Sequence, residues 1–446
     1  MKFLHRLLCV ISGLVLSNLA IAGTPLPHQS PDQTLGTVNC ATSTCHGSMT
    51  AWEGNVLRNE YTTWTRLDRH TRAYAVLRNS ESQRIMRNLG LKEPATKARI
   101  CLDCHAHNPP DGQRGARFDL SEGVGCEGCH GPAERWIGSH TRKDTPHREN
   151  LAQGMYPTDD PIAQATLCLS CHFGDRSRYV NHHIMGAGHP RISFDLATFT
   201  ALEPAHHRVD DDYSARKGTP DPVRLWAVGQ LLAARQLLNT LTDPKLGRDG
   251  MFPELTLFDC HSCHHPMSAK RWRPRMGLGS GRMRLNDSNL LMARAVIHVV
   301  SPEAGAEFAR EVRATQQAVA GGRGPAGEEP LMLAQALAGR LTDLLPRVAA
   351  MRFPPATQRA LLLALVDEVL AGDYTDYAGA EQAYMGIVSV TNDLLARGAL
   401  HDAPTLRADL KSMLKTLQQD EAFEPDSYAG TLRQFRVHVS SQVKSS

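Results

Sequence analysis

Past its first 22 residues the chain has no run of about 18 consecutive apolar residues, the length a helix needs to cross a bilayer. It also lacks charge of one sign. The formal net charge is +3 over 446 residues; residues 1–22 hold Lys2 and Arg6 and no acid, so without them it falls to +1. So even a balance argues against nucleic acid or an anionic membrane surface as the main partner. Cysteine is missing after Cys263, and residues 287–446 hold only His298, His401 and His438. The C-terminal third therefore has little of what thiol or metal chemistry requires.

What is present begins with an export signal. Lys2, His5 and Arg6 precede an apolar run from Leu7 to Ala22 that ends in Ala20-Ile21-Ala22, a small-x-small cleavage site. The reading is a cleaved Sec signal peptide over residues 1–22, a periplasmic protein, and no stable membrane span after cleavage. Cys9 lies mid-run without a preceding Leu-Ala-Gly, which argues against lipidation. The length allows two or three domains.

The other ten cysteines form five close pairs, each followed directly by histidine: Cys40/Cys45-His46, Cys101/Cys104-His105, Cys126/Cys129-His130, Cys168/Cys171-His172 and Cys260/Cys263-His264. Four have the C-x-x-C-H spacing of c-type haem attachment. The first has four residues between its cysteines, a longer variant. Two thiols must reach the two vinyl groups of one porphyrin, and the next residue must turn beneath the ring to offer imidazole to iron. Zinc ribbons or a disulfide framework would also use cysteine pairs. Neither requires a histidine after every pair, and export suits haem attachment. The reading is five covalently attached haem c groups, with His46, His105, His130, His172 and His264 as proximal iron ligands.

Eleven further histidines lie between Cys40 and His265. A lone histidine is more often a surface or hydrogen-bonded residue than a ligand, but five irons call for partners. His70 ends a helical stretch in which Tyr61, Trp64 and Leu67 share a face. His140 follows Gly131-Pro132 and Trp136, and His189 sits in Gly186-Ala187-Gly188-His189-Pro190, where small residues let a flat ring approach. His182/His183 and His206/His207 are read as giving one ligand each, with His183 and His206 the preferred members. His107, His261 and His265 stand too near proximal ligands to serve their own haem easily.

Taken together, Cys40…Cys45-His46-Gly47, Trp64…His70, Gly123…Cys126…Cys129-His130-Gly131-Pro132-Ala133…Trp136…His140 and Gly186…His189-Pro190 resemble the multihaem cytochrome c-554 family over about residues 36–270. That family is related in haem arrangement to hydroxylamine oxidoreductase and the pentahaem nitrite reductases. The resemblance implies a mostly helical haem domain, haems stacked in close pairs, and bis-histidine ligation of most irons with room for one five-coordinate iron. It also implies that His140 serves the first haem and that His70 and His189 are distal ligands of others. The family's tetrahaem members have no counterpart of Cys260-His261-Ser262-Cys263-His264. No C-x-x-C-K motif is present, which counts against nitrite reductase activity.

The expected fold class is mainly α: a multihaem cytochrome c domain with little regular sheet over residues 23–284, followed by a C-terminal helical bundle over residues 285–446. Residues 23–39 read as an arm, 51–92 as helical, and 93–190 as irregular, rich in Gly, Pro and His. Asp221 to Leu241 reads as an amphipathic helix. Residues 269–284, with Lys270, Arg271, Arg273, Arg275, Arg282 and Arg284, form a basic linker that is either a solvated connector or a dock for propionates or an acidic partner. Helices are expected at 286–300, 302–319, 328–350, 355–371, 377–397, 403–419 and 427–441. Asp210-Asp211-Asp212 is a solvated turn, with calcium binding as the alternative. The leading functional expectation is an electron carrier between redox partner proteins. The alternative is an oxidoreductase of a small nitrogen or sulfur species at one five-coordinate haem, lined by His107, Arg176 or Arg191. The C-terminal helices could also form a complex or oligomer contact.

Overall fold

The computed structural model describes residues 24–54, 56–264, 278, 282–321, 327–373 and 375–443. The signal segment, His265 and most of the basic linker lie outside the described residues. The described chain is mainly helical; β1 (Arg248–Asp249) and β2 (Phe252–Pro253) form a two-stranded antiparallel ribbon.

The N-terminal part is built of short pieces. Helices α1 (Glu60–Leu67), α2 (Ser80–Asn88), α3 (Arg99–His105), α4 (Cys126–His130), α5 (His147–Ala152), α6 (Pro161–His172), α7 (His182–Gly186), α8 (Leu196–Leu202) and α9 (Asp211–Lys217) are joined by 3-10 turns and loops. Residues 51–59 are not helical as the periodicity suggested. Gly54 and Arg58 adopt positive φ, of 106° and 56°, and the Trp52 N–H donates to Leu57 O at 2.8 Å, which closes a loop there instead.

The second part is a bundle of α10 (Pro222–Thr242), α11 (Ser288–Val300), α12 (Pro302–Ala320), α13 (Glu328–Ala350), α14 (Pro355–Leu370), α15 (Tyr377–Ala396), α16 (Ala403–Thr416) and α17 (Pro425–Val443). Its starts are marked in the sequence: Asp221, Ser301 and Asp402 cap α10, α12 and α16, each with proline in the first turn. Helix α10 differs from the amphipathic reading because it is buried nearly all round, with Val223, Trp226, Val228, Leu231 and Leu238 at 0–1 % exposure. It packs on α13, α11, α15, α6 and α8, so one apolar core runs from α6 and α8 into the C-terminal helices. Gly386 lets α15 approach the Trp226 ring: a Cβ there would stand 2.7 Å from Cζ2.

Polar ties join the two parts. The Gln230 amide donates to Asp195 at 2.8 Å and to Gln382 at 3.1 Å, and accepts from Asn289 at 2.8 Å. Arg284 is buried between Asp259 (2.8 Å) and Asp376 (2.9 Å). These buried polar contacts fix the seam in one register.

Candidate functional site

Four of the five cysteine pairs sit on or at the end of one helical turn. Cys101 and Cys104 lie on α3, Cys126 and Cys129 on α4, and Cys168 and Cys171 at the end of α6; Cys260 opens a 3-10 turn that leads to Cys263 and His264. Residues three apart on a helix share a face, so both thiols point the same way and the next histidine follows at the helix end. The longer first motif reaches the same closure through an extra turn. The Cys45 and Gly47 N–H groups both donate to Thr42 O at 2.9 Å, and His46 N–H donates to Cys40 O at 3.1 Å. Only glycine fits at 47, because a Cβ would fall 1.8 Å from Ala41 O.

Each of the five histidines that follow a cysteine pair faces one other histidine across a near-constant gap. The ring centroids lie 6.3 Å apart for His46–His140, 6.1 Å for His70–His172, 6.3 Å for His105–His189, 6.2 Å for His130–His206 and 6.2 Å for His182–His264. Two imidazoles bound trans to one metal at about 2.0 Å per bond would have centroids roughly 6.3 Å apart. The donor set and spacing therefore fit five bis-imidazole sites.

Hydrogen bonds at the second ring nitrogen orient half of these rings. The Nδ1 atoms of His46 and His70 lie 2.9 Å from Glu60 and Asp68, and those of His105, His140 and His189 lie 2.9, 2.7 and 2.8 Å from the carbonyls of Ala73, Ile137 and Pro190. With Nδ1 engaged as donor, Nε2 is left free to ligate. The carboxylates of Glu60 and Asp68 raise the pKa of His46 and His70 by hydrogen bonding. Burial lowers His105 and His140, takes His172 to about 4, and takes His130 to about 3, so these rings are held neutral, the form that binds metal.

The sites are neighbours of one another. The Cys40 thiol sits beside that of Cys126, and the Cys104 thiol beside that of Cys171, which puts the first site against the third and the second against the fourth. Glu203 lies between the third and fourth: its Oε1 is 3.8 Å from His70 Nδ1, and it also feels His206. Glu127, buried, accepts the N–H groups of Leu35, Gly36 and Ala133 at 2.7–2.8 Å and ties the N-terminal arm to α4.

Of the distal candidates chosen from sequence, His70, His140, His189 and His206 each stand opposite a proximal histidine, whereas His183 is exposed and its neighbour His182 faces His264. Helix α7 buries Ile184 and leaves His183 exposed, while His182 at its first position faces inward. His207 stacks on Tyr213, and buried His107 pairs with Thr34 Oγ1 at 3.0 Å, so its pKa falls to about 3 through burial. Arg176 pairs with Asp243 and Arg191 with Glu381, each at 2.9 Å. Asp210 caps α9 and Asp212 pairs with Arg216. Among the described residues the ten cysteines form no disulfide, and no three or more of His, Cys, Asp and Glu gather to hold a bare metal ion.

Residues 39–131 match the family described as cytochrome c554 and c-prime. The matched segment carries the first three cysteine pairs, so this part of the chain is similar to that family of c-type cytochromes. No curated protein and no solved structure matched the chain.

Proposed function

We propose that the chain is a periplasmic pentahaem cytochrome c that carries electrons between redox partner proteins, with all five irons ligated by two histidines. The observation that supports this most is the one-to-one pairing. Every histidine that follows a cysteine pair faces one other histidine at 6.1–6.3 Å, and no proximal histidine is left over. The ten cysteines Cys40, Cys45, Cys101, Cys104, Cys126, Cys129, Cys168, Cys171, Cys260 and Cys263 would hold the groups. His46/His140, His105/His189, His130/His206, His172/His70 and His264/His182 would be the axial pairs.

Bound haem would supply one-electron chemistry at iron, with its potential set by axial ligands, hydrogen bonds and burial. The chain does the rest. Glu60, Asp68 and the carbonyls of Ala73, Ile137 and Pro190 hold imidazoles in the ligating tautomer. Packing around His130 and His172 partly covers those rings and favours their neutral form. Each histidine that follows a cysteine pair has a facing histidine that would also hold the bound group, which favours the carrier over the oxidoreductase.

Periplasmic location rests on the Lys2-to-Ala22 signal. Among the described residues no helix is long and apolar enough to cross a membrane. We assign residues 23–284 to the haem-bearing part and 285–446 to the helical part, with α10 shared in the core of the second.

The test is the haem-to-protein ratio of the purified oxidised protein, together with its EPR spectrum. Five haems per chain and only low-spin ferric signals are expected. A substantial high-spin ferric signal would overturn five-fold bis-histidine ligation and point to the oxidoreductase.

A further inference from the structure

The fifth site has no counterpart in the tetrahaem pattern, and its position follows from one short element. Helix α7 starts at His182, which faces His264 of the fifth site. It runs on through turns that end at His189, which faces His105 of the second. Those turns end the helix and lead the chain to His189: Ala187 N–H donates to His183 O at 3.0 Å, Gly188 to Met185 O at 2.9 Å and His189 to Ile184 O at 3.3 Å, with Gly188 at a φ of 116°. One segment of eight residues thus carries a histidine for each of the two sites. Asn181 caps the segment through Ile184 N–H, and Glu254 accepts the His182 N–H at 2.8 Å, so its start is anchored to the turn leading into Cys260.

A second contact joins the same two sites. Arg191, two residues past His189, lies close enough to Cys260 to influence it, and it pairs with Glu381 at 2.9 Å. His261, next to Cys260, pairs with Asp420 at 2.6 Å. The segments bearing the second and fifth sites are thus held against the same end of the C-terminal bundle.

The neighbour relations described above run first to third, third to fourth, and fourth to second. Accordingly, we propose that the fifth site extends this row from the second, giving the order first, third, fourth, second, fifth, with the first and fifth as the ends that meet redox partners. This rests on the five-haem reading. An independent observation agrees with it: of the ten attachment cysteines only Cys45 and Cys263 are exposed, and they belong to the two sites the order makes terminal. The interior sites have their attachment cysteines at least half covered by protein.

The holoprotein tests the order through magnetic coupling between ferric haems, because each low-spin signal relaxes faster beside a paramagnetic neighbour. Cys260→Ala/Cys263→Ala removes the fifth haem, and His189→Met shifts the signal of the second and so identifies it. The expected result is a haem ratio falling from five to four, with slower relaxation at the second haem alone and the first and third unchanged. Where the double variant fails to mature, His182→Ala keeps the haem attached and turns it high-spin. The altered relaxation should again fall on the second haem. A change that falls on the first or third haem, or on none, overturns the order while leaving the five-haem reading intact. A wild-type ratio of four, unchanged in the double variant, overturns the five-haem reading itself.

Discussion

The two parts of the molecule solve the problem of a core in opposite ways. In the C-terminal part, α10 to α17 bury a continuous apolar core that includes Trp226, Leu290, Phe308, Leu341, Leu361, Ile387, Tyr428 and Phe435. In the N-terminal part the separate apolar cluster consists of Leu77, Met86, Ala95, Ala98, Leu102 and Ala106, three of them alanines. So small a cluster cannot offset the backbone entropy of ordering nearly two hundred residues. What is buried there instead is histidine, cysteine and their polar ties. The difference teaches that the bundle, with α6 and α8 packed on it, carries its own apolar core, whereas the segments before α6 have little apolar core of their own and would rely on covalently attached groups to fill their interior.

Removing those groups gives the largest expected effect and the sharpest break of the comparison. With all ten attachment cysteines replaced by alanine, amide hydrogen exchange should become fast throughout α1–α5 while α11–α17 stay protected. Equal protection in both parts would refute the dependence. On a smaller scale, Gly47→Ala forces a Cβ onto Ala41 O and should cost the first site its haem, lowering the ratio from five to four. A ratio unchanged by Gly47→Ala would mean the turn at 42–47 can shift.

The reverse break belongs to the bundle. Trp226 is fully buried against Gly386, and Trp226→Ala should destabilise thermal unfolding of the bundle by about 3–5 kcal/mol. The haem spectrum should keep its band positions. A spectrum that changes with the bundle's stability would show that the two parts fold as one unit.

The same contrast governs what could be read from sequence. The seven C-terminal helices lie close to where periodicity and caps put them, for example Pro302–Ala320 against an expected 302–319 and Glu328–Ala350 against 328–350, because apolar packing writes itself into a 3.6-residue pattern. Helix α10 was found but misread as amphipathic, since burial on all sides depends on α6 and α8 arriving from far away in sequence. In the N-terminal part the cysteine pairs were plain, but the fold between them was not, because ligand positions are set by groups outside the chain's own pattern. The choice between His182 and His183 shows the scale of that ambiguity. His182→Ala should produce one high-spin haem, and His183→Ala should leave the EPR spectrum as it is. A reversed result would move the fifth site's ligand by one residue.

The smallest effect probes how polar ties stand in for apolar packing between α5 and α6. His147 Nε2 lies 3.1 Å from Asp159 Oδ1, and that hydrogen bond lowers the pKa of Asp159 below the ordinary carboxylate value. A carboxyl group with a depressed folded-state pKa stabilises the fold above its unfolded pKa of about 3.9 and loses that contribution as pH falls through the folded value. Asp159 is only partly covered, so after solvent screening the tie should contribute a few tenths to about 1 kcal/mol. Asp159→Asn should therefore lower the unfolding midpoint of the N-terminal part slightly at pH 6. The gap to the unsubstituted protein should narrow as pH falls below about 3.9 and close only below the depressed folded-state value, where both carry a neutral group at that position. A gap that persists unchanged at low pH would assign the effect to lost packing, and would mean that even this part of the molecule relies on shape more than on charge.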